Sequence, residues 1–452
     1  MKYLAFAVTA FLTPFFAYVL SWNRRWIRFA FVPVLAALCF FDRTSINFFA
    51  VSEYRGTARG MEVSLAYLAA FAVILALKFR GVRIRWVPSR GAALFLVYFL
   101  LCLPSLTAAD NLLYAWFEIW KLALLYLFLV AVENYLRATD DAGTVLLALG
   151  LFAMANFAFV AKQHFAGVWQ PKGCFDHRNG LAFCMNLLGP VFFAGYLMKG
   201  LGTRWGRFFF VAFVSAAFAA IRSYSRTALV LIPLGYGLAW CLCMAFGKPR
   251  NAVRRSAWLA ALAALALAVM LPRIVQRFET AGTGSKSYRI QTAKCAMEMI
   301  ADEPLRGVGI NNWGVKVNPP YPYAQRAGID RSNMERTSLY HEGIVETVYL
   351  LVAAECGIPC LLAFVAWLLH YAFLAFRLCP RLAGTARFFV PAGLAAGLSV
   401  IVLESCMEWT LRMRQPVLPF MAFFAILEYL AESSRHGAAA PTGPSAKGAL
   451  PA

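Results

Sequence analysis

The sequence predicts an all-α polytopic membrane protein, a transmembrane helical bundle of twelve or thirteen spans with one long periplasmic loop that contains short helices. Its composition is 61% hydrophobic and 14% charged, whereas soluble domains are about 45–50% apolar and about 25% charged. The apolar residues form blocks long enough to cross about 30 Å of hydrocarbon. Leu-, Ala- and Phe-rich segments of this length form helices, which satisfy their own backbone hydrogen bonds in lipid. A soluble enzyme is therefore excluded.

The apolar windows divide the chain into four regions. The windows lie near 3–20, 27–42, 61–78, 92–109, 112–136, 142–161, 181–198, 205–221, 227–246, 256–272, 357–376, 388–406 and 416–431. We expect N-terminal transmembrane helices over 1–272, a long periplasmic loop over 273–343 and C-terminal transmembrane helices over 344–432. Residues 433–452 are rich in Pro and small residues, and they predict a disordered cytoplasmic tail.

The basic residues indicate an orientation. Lys and Arg number 43 against 22 Asp and Glu, and most lie in short loops between spans. One alternate set of loops carries clearly more of them, and the positive-inside rule places that set in the cytoplasm. The stretches 162–180, 222–226 and 273–343 then face the periplasm, and the C-terminus lies inside. The excess of basic residues therefore reflects the orientation of the protein in the membrane. We expect the protein to associate with a lipid bilayer and not with nucleic acid. With thirteen spans the N-terminus lies outside, and with twelve it lies inside.

The cysteines and histidines give no ligand pattern. The eleven cysteines include no CxxC pair, and most lie in apolar segments as small hydrophobic residues. Cys174 and Cys295 fall in loops predicted outside, so a disulfide between them stays open. His164, His177 and His341 also lie outside but lack an HxH or HExxH spacing. We expect no metal and no cofactor.

Two arginines at the outer junction of two spans suggest an anion site. Arg222 and Arg226 flank Ser223, Tyr224 and Ser225, on the side where basic residues are sparse. The planar guanidinium fork matches phosphate oxygens, and the serine hydroxyls add hydrogen-bonding groups. The alternative is a pair of interfacial anchors whose side chains snorkel to the headgroups.

The long loop holds a second basic group and a histidine. Residues 287–301 have apolar side chains at helical spacing, namely Ile290, Ala293, Met297 and Ile300, with Arg289 on a different face. Pro304 ends this predicted helix. Further on, His341 is the side chain best suited to act as a general base near neutral pH. Its alternative is an ordinary surface histidine.

Charged residues within the spans predict ion pairs. Glu118 and Lys121 lie three residues apart on one helix and should neutralise each other. A second group lies at the outer end of a later span: Glu404, Glu408, Arg412 and Arg414. We expect these to form structural pairs or to support the outer site.

Four motifs, which follow one another along the chain in the order typical of the family, resemble the O-antigen ligase family. They are residues 222–227 (its S-x-S-R motif), 288–309 (its loop helix and P-x-x-G-x-G turn), 341–359 (its H-N…E-x-G-x-x-G segment) and 176–182 (its H-x-N-x-x-A stretch). The resemblance covers roughly 160–365. The chain departs from the pattern at Glu342, where the family usually has Asn, and at Pro359-Cys360, where it often has a small residue and Gly.

The resemblance implies an inverting, metal-independent glycosyltransferase at the periplasmic face of a bacterial inner membrane. The donor would be a glycan on undecaprenyl diphosphate, and the acceptor a lipid A core sugar or another hydroxyl. Fixed guanidiniums would stabilise the diphosphate leaving group. The residues implied as catalytic are His341, Arg226 and Arg289. Those implied in substrate binding are Arg222, Ser225, Ser223, Glu342, Tyr340, His177 and Asn179.

Other functions remain open. A polysaccharide polymerase and a protein O-oligosaccharyltransferase of the same superfamily differ from a ligase in their acceptor. We favour the ligase because the single large outer loop lies late in the chain and carries the histidine motif. A solute or polysaccharide transporter would place charged or broken-helix sites near the bilayer midplane, whereas the polar groups here concentrate at the outer rim. A membrane scaffold without chemistry is the third alternative.

Overall fold

The architecture of the chain is almost entirely helical. A computed structural model describes residues 2–23, 25–51, 54, 56–249, 251–279, 283–329 and 344–439. Its helices are α1 (Lys2–Ser21), α2 (Phe31–Cys39), α3 (Phe41–Thr44), α4 (Leu65–Phe79), α5 (Arg90–Cys102), α6 (Leu112–Thr139), α7 (Ala142–Phe165), α8 (Arg178–Lys199), α9 (Arg204–Arg222), α10 (Arg226–Leu242), α11 (Ala252–Glu279), α12 (Thr283–Asp302), α13 (Trp313–Lys316), α14 (Tyr323–Arg326), α15 (Val348–Cys356), α16 (Ile358–Arg381), α17 (Phe389–Glu404) and α18 (Arg414–Ala439). Short 3₁₀ turns lie at Trp26–Ala30, Leu103–Ala108 and Thr410–Arg412.

The predicted polytopic all-α class is confirmed. Within the described ranges, nine helices are long and apolar enough to cross a membrane by length and composition. Three shorter apolar helices accompany them: Trp26–Cys39, Leu65–Phe79 and Phe389–Glu404. The total of twelve or thirteen spans and their orientation stay predictions.

A small hairpin interrupts the helices near the N-terminus, where only spans and loops are expected. β1 (Ser45–Phe48) pairs antiparallel with β2 (Met61–Ser64), with Ile46 opposite Val63. The third predicted span therefore begins at Leu65 rather than at 61. Two β-branched residues facing each other across the pair favour the strand over an earlier start of the helix.

The long loop contains short helices, as predicted, but its boundaries differ. α11 continues past 273 to Glu279, and α12, α13 and α14 follow. α18 extends to Ala439, beyond the predicted start of the tail at 433, and residues 440–452 lie outside the described residues.

The chain forms two compact units. Among the described residues, those within 1–131, 281–369 and 405–418 form unit 1, and those within 132–280, 370–404 and 419–452 form unit 2. In unit 2, α8 is the central helix, and 94% of the residues in its apolar 18-residue stretch are buried. α17 packs directly on it at Gly393, where a Cβ would lie 2.3 Å from the Cα of Val191. Only glycine permits this approach of the two backbones.

Within unit 1, the buried cluster of the long loop is built on α12. Its buried side chains are Thr292, Cys295, Ala296 and Met299, whereas Ile290 and Met297 are exposed. The predicted apolar face of this helix is therefore wrong at Ile290 and Met297, whereas Ile300, predicted on the same face, packs against the buried cluster. The small residues at 295 and 296 allow α12 to pack closely on its neighbours, and Arg289 lies three residues before Thr292, on the side of the helix that turns inward.

Candidate functional site

The span-opening arginines of unit 2 lie at a tight turn between two helices. Arg222 is the last residue of α9 and Arg226 the first of α10. Between them Tyr224 adopts φ +50°, a left-handed conformation that is uncommon outside glycine. The Ser223 hydroxyl donates to the Ala220 carbonyl at 2.7 Å and accepts from the Ser225 N–H at 3.2 Å. The hydroxyl of Ser223 thus shapes the turn that sets the two arginines apart.

Arg222 is held in a defined orientation. Only 5% of its surface is exposed. Its Nη1 donates to the Tyr224 hydroxyl at 2.6 Å, its guanidinium lies 5.1 Å from the centroid of that ring, and its Nη2 is bonded to Nδ1 of His164. Trp169 in turn stacks on the ring of Tyr224, with the two ring centroids 5.2 Å apart. The Nε–H is buried and has no hydrogen-bond partner among the residues described. A fixed cation therefore keeps an unused donor.

The segment between α7 and α8 is fastened beside this group. Gln163 Oε1 accepts from the N–H groups of Lys172 and Gly173, both at 2.9 Å, and its Nε2 donates to the Gly173 carbonyl at 2.7 Å. Asn156 Oδ1 accepts from the Cys174 N–H at 3.1 Å. These bonds position His164, which follows Gln163 directly. Cys174 and Cys295 are both free thiols, so no disulfide joins them.

His177 and Asn179 open the central helix. His177 is the N-cap of α8, and its Nδ1 accepts from the Asn179 N–H at 3.2 Å. Partial desolvation, together with the charges of Arg178 and Lys172, lowers the pKa of His177, which keeps the ring neutral and able to accept this bond. Both residues lie in unit 2, in the same unit as the arginine turn.

Arg289 lies in unit 1 and forms ion pairs there. It pairs with Glu346, and its Nη2 lies 3.5 Å from Oε1 of Glu408. Glu408 is 4% exposed at the side chain, whereas Arg289 and Glu346 are about one third exposed. Two carboxylates thus offset one guanidinium. Glu408 was expected near Arg412 and Arg414, and its partner is instead this loop arginine.

A buried four-charge network lies elsewhere in unit 1. Arg412 Nε bonds Glu118 Oε1 at 2.8 Å and its Nη2 bonds Glu355 Oε2 at 2.9 Å. Lys121 Nζ lies 2.6 Å from Glu118, which confirms the predicted pair, and it also donates to the Arg412 carbonyl at 2.5 Å. All four side chains are at most 2% exposed. Their formal charges cancel, and the network ties α6, α15 and the 410–412 turn together.

Two further pairings differ from expectation. Glu404 receives a hydrogen bond from Asn186 Nδ2 at 3.1 Å within unit 2, and Arg414 pairs with Glu62 of β2 within unit 1. Their partners lie far away in sequence, so local spacing gives no sign of them. Tyr340, His341 and Glu342 lie outside the described residues.

Sequence reasoning set His164 aside as a weak metal ligand and gave no role to Glu355. His164 contacts Arg222 directly. The Trp313 N–H donates to Oε1 of Glu355 at 3.3 Å, so this carboxylate links the loop to the buried charges. The signal available for Glu355 was its place in the apolar stretch after the histidine motif, where an unpaired carboxylate is costly.

A multi-pass membrane protein with an arginine fixed at a span junction fits an enzyme that acts on a membrane-bound anionic substrate. Residues 211–365 match the family model described as O-antigen ligase. The match confirms, for this part of the chain, the family that the motifs predict, and it indicates a membrane glycosyltransferase of the ligase or polymerase type. No curated protein matches the chain.

Proposed function

We propose that the protein transfers a glycan from undecaprenyl diphosphate to a lipid A core sugar at the periplasmic face of a bacterial inner membrane. The family match carries the proposal, because its bounds include both the arginine turn and the loop up to the start of α16. A lipid-linked donor also gives a sugar-transferring enzyme a physical reason to lie in the bilayer. Its long isoprenoid chain is already dissolved there.

In the proposed reaction an acceptor hydroxyl attacks the anomeric carbon of the donor sugar. The new C–O bond forms as the bond from that carbon to the diphosphate oxygen breaks, with inversion at the carbon. The hydroxyl proton passes to His341, and undecaprenyl diphosphate leaves as the anion. Charge builds up on the diphosphate, so preorganised cations lower the barrier without a metal.

We assign the diphosphate to Arg226 and Arg222. The immobile guanidinium of Arg222 and its unused Nε–H support this role, because a donor already fixed in place needs little reorganisation when charge develops. His177, Asn179, Ser223 and Ser225 belong to the same unit and would shape the binding surface. Tyr340 and Glu342 would bind the acceptor side beside His341.

We assign Arg289 to the diphosphate as well, but with a different behaviour. Glu346 and Glu408 offset its charge, so it binds an anion only after exchanging one carboxylate for a phosphate oxygen. Glu346 is the partner to be exchanged, since it is partly exposed whereas Glu408 is buried. The side chain of Arg289 would therefore change its partner when the substrate binds, whereas the side chain of Arg222 would keep its position.

The glycans of a deletion strain test the acceptor. A ligase predicts lipid A core without polymer and long glycans accumulating on the carrier lipid. Accumulation of single repeats on lipid A core would indicate a polymerase, and loss of glycan from proteins alone would indicate an oligosaccharyltransferase. Unchanged surface glycans with impaired solute uptake would favour the transporter.

A further inference from the structure

Three cysteine sulfurs meet inside unit 1. Cys102 is the last residue of α5, Cys356 is the last of α15, and Cys360 lies in the first turn of α16. All three are at most 1% exposed. Their Sγ atoms lie within 4.8 Å of one another, and those of Cys102 and Cys360 are 3.5 Å apart. No function considered so far uses them.

A break between two helices brings these side chains together. Gly357 separates α15 from α16 with φ +85°, and a Cβ at this position would lie 2.2 Å from the Leu305 carbonyl oxygen. The Ile358 N–H donates to the Pro304 carbonyl at 2.8 Å, which fixes the break against the loop. Cys356 and Cys360 are therefore held on either side of a rigid turn, with Cys102 against them.

The spacing suits one thiophilic metal ion. An ion about 2.3 Å from each of three coplanar sulfurs would hold them about 4 Å apart, close to the separations observed. Soft thiolate ligands select Cu(I) or Zn(II) over harder ions. Structural Zn(II) takes four protein ligands. Among the described residues, no His, Asp, Glu or further Cys joins the three sulfurs as a fourth ligand at this place. A three-sulfur set fits Cu(I) better.

We propose that Cys102, Cys356 and Cys360 bind one Cu(I) ion as a buried structural site. Each sulfur that binds as a thiolate forms a Cu–S bond and releases its proton to solvent, and no electron is transferred. Arg412 bonds Glu355, the residue directly before Cys356, so the buried charge network adjoins the three sulfurs. The Cys360 sulfur lies 3.9 Å from the Tyr98 carbonyl oxygen, and the Tyr98 hydroxyl is buried without a hydrogen-bond partner among the described residues.

The metal site would connect three helices, α5, α15 and α16. Cys102 and Cys360 are 258 residues apart in sequence. A metal bridge between them would tie α5 to the α15–α16 break, next to Glu355 and its partner Arg412. Its effect would be on stability, and the transfer chemistry assigned above would not pass through it.

Anaerobic copper titration of the purified full-length protein in detergent tests the site. The background protein carries Cys241→Ser and Cys406→Ser, because those two cysteines are exposed and would bind copper adventitiously. Cu(I) is supplied against bathocuproine disulfonate, and bound metal is counted by mass spectrometry. We expect about one copper per chain, a ratio that Cys184→Ser retains and that Cys102→Ser, Cys356→Ser or Cys360→Ser lowers at least tenfold. Cys184 is a matched control because it is equally buried.

A second measurement does not depend on variants that fold. Copper-loaded and copper-free background protein are treated in parallel with an alkylating reagent at increasing denaturant, and the cysteines whose alkylation copper slows are located by mass spectrometry. Protection at all three positions supports the site. Copper at less than a tenth of one equivalent, protection elsewhere, or zinc retained in its place would overturn the copper assignment. Neither readout uses glycan transfer, so failure here leaves the proposed function standing.

Discussion

Removing Arg412 should destabilise the protein strongly, because it leaves two buried carboxylates with one cation. In the native network Glu118 and Glu355 are balanced by Lys121 and Arg412, and every member is at most 2% exposed. Arg412→Met keeps the bulk of the side chain but leaves a net charge of −1 out of water. Breaking a buried ion pair in this way costs about 3–5 kcal/mol.

The assay is the apparent melting temperature in detergent, followed by fluorescence-detected size-exclusion chromatography. Arg306→Met is the matched control, since Arg306 pairs with Glu303 on an exposed surface and should leave the melting temperature unchanged. A double variant, Arg412→Met with Glu355→Gln, restores a neutral network of Glu118 and Lys121. We expect it to recover part of the loss, whereas independent effects would add. An Arg412→Met protein as stable as wild type would refute the reasoning.

The remaining predictions concern the arginine turn and the absence of a hard metal. His164→Ala removes the acceptor for Arg222 Nη2 and loosens a guanidinium assigned to the leaving diphosphate; losing about 1.4 kcal/mol of transition-state stabilisation should lower kcat about tenfold. His164→Gln should restore much of the loss because its amide oxygen accepts the same bond, and equal kcat values in the two variants would contradict a positioning role. Transfer should persist in excess EDTA, which competes for Mg²⁺, Mn²⁺ and Ca²⁺ in the assay; activity that is lost and returns with one of these ions would count against a metal-free mechanism.

The membrane class and the family could be predicted from sequence because both signals are local. Apolar blocks of bilayer length define spans by themselves, and the motif at 222–227 lies within one short stretch. The pair of Glu118 and Lys121 was predictable for the same reason, since residues three apart on a helix are neighbours.

The inward face of α12 was not predictable from hydrophobicity. Small residues at 295 and 296 are buried there while Ile290 and Met297 are exposed, because close packing against neighbouring segments favours small side chains over large ones. Partners distant in sequence were invisible too. The ion pair of Glu118 with Arg412 and the sulfur contact of Cys102 with Cys360 do not follow from the spacing of these residues in the sequence. Each depends on how separate segments of the chain pack together.

Reconstituted transfer tests the central claim most directly. Purified protein in liposomes receives a synthetic undecaprenyl-diphosphate glycan and lipid A core, and product is measured for wild type, Arg226→Ala and His341→Ala, with Arg306→Met as a surface control. The account predicts glycosylated lipid A core from wild type and the control, and at least a hundredfold loss in the other two variants at unchanged protein yield and melting temperature. Transfer at the wild-type rate by either variant would contradict it.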